Sequence, residues 1–76
     1  MIIIDVRTRE EHASSHTEGA ICIPLDEIAT SNLGGVDFEE KIGLCCRSGA
    51  RANVARMILM QRGFKNVTLY NEGRCK

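Results

Sequence analysis

The chain has 76 residues, with ten basic side chains, ten acidic ones and an apolar fraction of 43%. That length holds one small domain, and Val, Ile, Leu and Met must fill its core because only Phe38, Phe64 and Tyr70 are aromatic. Balanced charge leaves no field of one sign for a nucleic-acid backbone, and no apolar stretch reaches the length of a membrane-spanning helix.

Ile2 to Val6 is a continuous, β-branched run around Asp5, the pattern of a strand buried on both faces. Thr8, with Glu11 three residues on, forms a capping box for a short helix over Arg9 to Ser14. Gly19 closes the connection, Ala20 to Ile23 reads as a second short strand, and Pro24, with no N–H to donate, ends it. Leu25 to Thr30 suits one or two helical turns, and residues 31–35 form a loop by composition. A third strand over Lys41 to Cys45 is broken by Arg47, Ser48 and Gly49. A longer helix follows over Ala50 to Gln61, with Val54, Met57, Ile58 and Gln61 at helical spacing and Ala55 and Leu59 beside them. Arg62 in the last turn suits the helix dipole and Gly63 caps the end; Val67 to Tyr70 is a fourth strand. Strands alternating with helices predict an α/β fold, a small and mainly parallel sheet flanked by helices.

Cysteines stand at 22, 45, 46 and 75. The N-terminus lacks the basic and long apolar segments of a secretion leader, so a cytoplasmic chain is expected, or a periplasmic one if a leader has been removed. Neighbours on a strand point to opposite faces, so a bond between Cys45 and Cys46 would be strained, and at least one thiol is expected to be free. Cys22 and Cys45, on strands, read as small buried apolar groups, and Cys75 as exposed and incidental.

Cys46 stands apart. It lies at the end of a strand where a helix is about to begin, the place where α/β sheets gather ligands. N–H groups of Arg47, Ser48, Gly49, Ala50 and Arg51 lack helical partners there and can converge on one anionic atom. Gly49 permits the tight turn, and the helix dipole with Arg47 and Arg51 favours thiolate over thiol. Cys46 is therefore the candidate nucleophile, and the same cradle suits the oxyanion of a substrate.

Residues 46–51 (Cys-Arg-Ser-Gly-Ala-Arg), an alanine-rich helix and Gly63-Phe64-x-x-Val67 resemble the active-site loop and helix of rhodanese-like domains. Ile4-Asp5-Val6-Arg7, Glu11, and His16-x-x-Gly19-Ala20-x-x-Ile23-Pro24 resemble that family's first block. The two blocks occur in order over nearly the whole chain, closest to the small single-domain sulfurtransferases of the phage-shock type. The resemblance implies a ping-pong cycle in which Cys46 takes sulfane sulfur from thiosulfate or a persulfide and passes it to cyanide or another thiol. It implies that the backbone of Arg47 to Arg51 cradles the persulfide, that Arg47 and Arg51 orient an anionic donor, and that no cofactor is needed. The partners implied are a small-molecule or protein-persulfide donor and a thiol acceptor, with the oligomeric state left open. Against the family pattern Met1 stands almost on the first strand and the chain stops soon after the fourth. A single domain over residues 1–76, shortened at both ends, is therefore expected.

Other readings use the same residues. Taking Cys45 as nucleophile gives the five-residue spacing to Arg51 of a cysteine phosphatase, although Leu44 stands where a histidine would be expected and no aspartate is placed as general acid. His12 and His16 are half of a zinc site by spacing, without a third ligand, so they read as a solvated and a packed imidazole. Asp5 and Arg7 share a strand face and read as structural support through an ion pair. A non-catalytic binding module on this scaffold, or a relay in which Cys45 or Cys22 resolves the persulfide, completes the alternatives.

Overall fold

Among the described residues, four strands and two α-helices put the third strand inside the sheet, between the first and the fourth. The computed structural model of the chain describes residues 1–75. β1 (Ile2–Asp5), β2 (Ile21–Cys22), β3 (Lys41–Cys46) and β4 (Asn66–Arg74) form one sheet in the order β2-β1-β3-β4, and every pairing is parallel. The chain therefore crosses from each strand to the next, with α1 (Arg9–Ser14) following β1 and α2 (Ala50–Gln61) linking β3 to β4.

The local signals explain these elements. Thr8 accepts from the Glu11 N–H while the Glu11 carboxylate accepts from the Thr8 N–H, so the capping box that starts α1 is closed in both directions. α2 begins after Gly49, whose φ of 100° is left-handed, and ends before Gly63, whose φ is 107°. The segment after Pro24 makes a single 3₁₀ turn, Leu25–Glu27, and the loop at residues 31–35 contains another, Leu33–Gly35. There Asn32 accepts from the Gly34 N–H and takes one orphan donor.

Ile4, Val6, Ile42, Leu44 and Cys46 from the inner strands meet Ala52, Ala55 and Leu59 of α2 and Ile28 in one buried cluster. The helical spacing predicts an apolar face through Val54 and Met57, and here the structure differs. The buried face is Ala52, Ala55 and Leu59, while Val54 and Met57 are exposed. Alanines let the helix axis approach the sheet closely, and that proximity selects the small-residue stripe over the bulkier one.

β4 is longer than its apolar run predicts. Asn66 to Leu69 pair regularly with Lys41 to Leu44, then the register shifts, and Arg74 pairs with Cys46. Asn71, Glu72 and Gly73 lie between, all with positive φ (52°, 59° and 85°), and the Asn71 side-chain amide donates to the Arg74 carbonyl across the turn. This return brings the last described residues back beside the end of β3.

Candidate active site

β3 ends in two consecutive, fully buried cysteines whose surroundings differ. Cys46 Sγ accepts from the Gly49 N–H at 3.0 Å and from the Ala52 N–H at 3.3 Å. Both donors belong to the start of α2, where the intrahelical ladder opens only with the Asn53 N–H bonding Gly49 O. Two amides and the positive end of a 12-residue helix thus converge on one sulfur, an arrangement that complements negative charge there. Of the stretch from Arg47 to Arg51, Gly49 supplies one of these two N–H groups. Ala52, one residue beyond that stretch, supplies the other. Its position as the third residue of a helix opened by a left-handed Gly49 is the signal that would have found it.

Arg47 and Ser48 on the loop and Ala50 at the head of α2 are exposed. The Arg51 guanidinium makes two bonds to the Glu11 carboxylate, at 2.8 and 3.1 Å, tying α2 to α1 across 40 residues of sequence. The bond from Arg51 holds the Glu11 carboxyl at about 2, below its ordinary 4.5, with the Thr8 amide helping. Arg51 also lines an apolar cavity of about 400 Å³ with Val6, Thr8, Pro24, Leu25 and Asp26. That cavity opens at the carboxyl ends of the strands, the same end as the Cys46 loop.

Asp5 and Arg7 form one buried unit. Arg7 donates to both Asp5 oxygens through Nε and Nη2 at 2.8–3.1 Å, its backbone N–H adds a bond to Oδ1 at 3.0 Å, and His12 Nδ1 lies 3.0 Å from Oδ2. Burial by itself pushes the Asp5 carboxyl up, but these bonds outweigh it and leave the group below its ordinary value. A second bond from Arg7 Nη2 reaches the Ser15 carbonyl, so the unit fixes the end of α1 against β1. His16 stacks on His12 at 4.0 Å between ring centroids and bonds the His12 carbonyl through Nδ1. The two imidazoles are layered rather than converging on a common point, which does not suit a shared metal ion.

Cys75 departs from the sequence expectation. It is half-buried and its sulfur is bonded to that of Cys45, with 5.0 Å between the Cα atoms. The spacing gives no hint of this, because the link depends on the shifted register that returns β4 to the end of β3. Cys22 and Cys46 remain free, and Cys22 Sγ lies 3.8 Å from the Arg7 carbonyl. Bonded to Cys75, Cys45 has no thiolate to offer, which removes the nucleophile of the phosphatase register. Asp5, Cys45 and Cys75 have ligand-type atoms within 4.8 Å of one another, the only such group among the described residues. Its two sulfurs are joined as a disulfide, a weak neutral donor without thiolate charge, and its carboxylate is engaged by Arg7 and His12, so the group does not suit a metal ion.

Residues 1–74 match the sequence pattern of the rhodanese-like domain. Thiosulfate sulfurtransferase PspE of Escherichia coli (strain K12) is 34% identical over 65 residues, which are 84% of this chain and 62% of that protein. The Bacillus subtilis (strain 168) protein YrkF, whose name describes a sulfur carrier, is also 34% identical over 65 residues, covering 86% of this chain and 35% of its own length. The chain thus spans between about one third and two thirds of these curated relatives. Among solved structures, a rhodanese with anions from E. coli superposes with a TM-score of 0.83 at 32% identity, over 90% of this chain and 81% of that one.

Proposed function

The chain belongs to the rhodanese-like domain family, and from that premise we propose that it is a sulfurtransferase carrying sulfane sulfur as a persulfide on Cys46. The observation that supports this reading is the pair of amides, from Gly49 and Ala52, aimed at Cys46 Sγ.

In the first half-reaction the Cys46 thiolate attacks the outer sulfur of thiosulfate; the new S–S bond forms as the old one breaks, and sulfite leaves with the electron pair. In the second, an acceptor such as cyanide or a thiolate attacks the terminal sulfur of the persulfide, and the Cys46 thiolate is released. Negative charge sits on or beside the same sulfur throughout, so donors already aimed there need no rearrangement during the reaction. The cavity beside Arg51 is the entry we assign to donor and acceptor: Val6, Pro24 and Leu25 give it apolar walls, and Arg51 supplies the one cation for an anionic donor. In this reading Arg47, Ser48, Gly49, Ala50 and Arg51 serve substrate binding, Ala52 joins them through its N–H, and Asp5 with Arg7 holds the frame. A small-molecule or protein persulfide is the other donor class this site suits.

The Cys45–Cys75 bond bears on the compartment. Disulfides persist in oxidising surroundings and are reduced or transient in a cytoplasm. A persistent bond would suit the periplasmic alternative, and one that opens and closes would suit the cytoplasmic one.

Intact-mass measurement after incubation with thiosulfate tests the central reading. The protein is expected to gain one sulfur, cyanide should remove it, and Cys46→Ser should never acquire it. Sulfur retained on the Cys46→Ser protein would refute the assignment.

A further inference from the structure

Cys46 is fully buried, so the nucleophile assigned above is covered in the state described. The return of β4 packs against the residues around Cys46. A Cβ built at Gly73 would stand 3.0 Å from Gly49 Cα and 3.6 Å from Ala52 Cβ, and one built at Gly49 would stand 3.3 Å from the Glu72 carbonyl. The return thus rests on the same two residues whose amides hold the sulfur. The Cys75 N–H also donates to the Cys46 carbonyl at 2.8 Å.

This segment holds a backbone conformation that residues other than glycine adopt sparingly. Three successive residues, Asn71, Glu72 and Gly73, have left-handed φ, and only one of them is glycine. Its far end is tied to β3 both by backbone, through the pairing of Arg74 with Cys46 and the Cys75 N–H on the Cys46 carbonyl, and covalently, through Cys75 to Cys45. Access to the two sulfurs is unequal, since Cys45 is fully buried and Cys75 only half-buried.

We propose that Cys45–Cys75 is a second sulfur site of this chain, a dithiol–disulfide pair that exchanges with low-molecular-weight thiols, and that its state sets how fast Cys46 is reached. The chemistry balances on two thiols. One thiolate attacks the accessible Cys75 sulfur, forming a mixed disulfide and expelling Cys45 as a thiolate. The second attacks the outer sulfur of that mixed disulfide and expels Cys75. The two reductant thiols leave as one disulfide, and their protons pass to Cys45 and Cys75. With the tie open, residues 71–75 relax out of the left-handed return, and the Gly49 and Ala52 side of the cradle is uncovered. The proposal rests on the sulfurtransferase reading and deepens it, because it makes the rate of Cys46 loading depend on whether a thiol has opened the tie.

The test measures alkylation of Cys46 by iodoacetamide in the full chain, first with the disulfide closed and then after a small dithiol has opened it. Peptide fragmentation separates Cys46 from Cys45. Opening should speed Cys46 alkylation by about tenfold or more, the ratio expected when a covering segment is freed from a covalent tie. Cys22, far from the return in sequence and already half-exposed, is the internal control and should not change rate. Cys75→Ser should show the fast rate without reductant. Equal Cys46 rates in the closed and open wild-type protein would overturn the proposal, even if the variant proved unstable. Thiosulfate loading run in parallel keeps the two readings apart. Gated alkylation without any sulfur uptake would leave the gate standing and remove the sulfurtransferase reading. Ungated alkylation with normal uptake would do the reverse.

Discussion

Cys45 and Cys46 are consecutive in one strand and equally buried, yet they belong to different chemistries. Pleating sends their side chains to opposite faces. On one face Cys46 meets the opened first turn of α2, and nothing but amide donors touches its sulfur through hydrogen bonds. On the other, Cys45 lies beside Asp5 and is bonded to Cys75. Burial therefore says little about what a cysteine does. What separates the two is whether the neighbouring groups stabilise a charged sulfur or consume it.

Exchanging the two serines-for-cysteine substitutions is the hardest test of that contrast. Cys46→Ser should abolish sulfur uptake from thiosulfate while leaving the denaturation midpoint nearly unchanged. Cys45→Ser should keep uptake but lower stability by about 3.7 kcal/mol, the chain-entropy contribution of a link between residues 30 apart. Chemical denaturation and intact mass on the same two proteins check both halves, and the opposite pattern would invert the comparison.

Gly73→Ala probes the place where the two chemistries touch. Its φ of 85° and the 3.0 Å approach to Gly49 leave no room for a methyl group, so a loss of about 2 kcal/mol is expected in denaturant unfolding. Because the clash falls on the cradle, the rate of sulfur uptake should change as well. Arg51→Ala, further from the sulfur, should raise KM for thiosulfate severalfold and leave alkylation by a neutral reagent unaltered. Equal effects on both would mean that Arg51 only ties α2 to α1.

Acid provides the gentlest perturbation. The folded-state carboxyls of Glu11 and Asp5 both lie below their ordinary values, so both contributions are complete above about pH 4.5 and are lost on acidification, that of Glu11 as pH falls toward 2. Glu11 and Arg51 are each about one third exposed, so solvent screening makes their share small and sensitive to salt. Thermal unfolding followed from pH 5 to about pH 2 at two salt concentrations should show a lower midpoint at the acid end. A midpoint that rises with acid would contradict the linkage.

Much of this frame was legible because its signals are local. Thr8 and Glu11 announce α1 within four residues, and Gly49 and Gly63 bracket α2. Cys46 stood out because a strand end, a glycine turn and a helix start follow one another directly. The features that escaped detection join residues far apart. Arg51 finds Glu11 across 40 positions, and Cys75 finds Cys45 across 30. The second depends on a register shift in β4 that Asn71, Glu72 and Gly73 disguise as an ordinary turn. The buried stripe of α2 was misjudged for a related reason. Side-chain bulk signals hydrophobicity, but the closeness of helix to sheet is set by the alanines at 52 and 55.

The order of the strands has a consequence for synthesis. β1 is made first but lies inside the sheet, between β2 and β3. Its partner on one side offers only Ile21 and Cys22, so the nascent chain carries Ile2, Ile3 and Ile4 without their main partner until residues 41–46 emerge. Long-range parallel pairing of this kind forms late, and a ribosome-bound fragment ending before β3 should expose this apolar ribbon to chaperones.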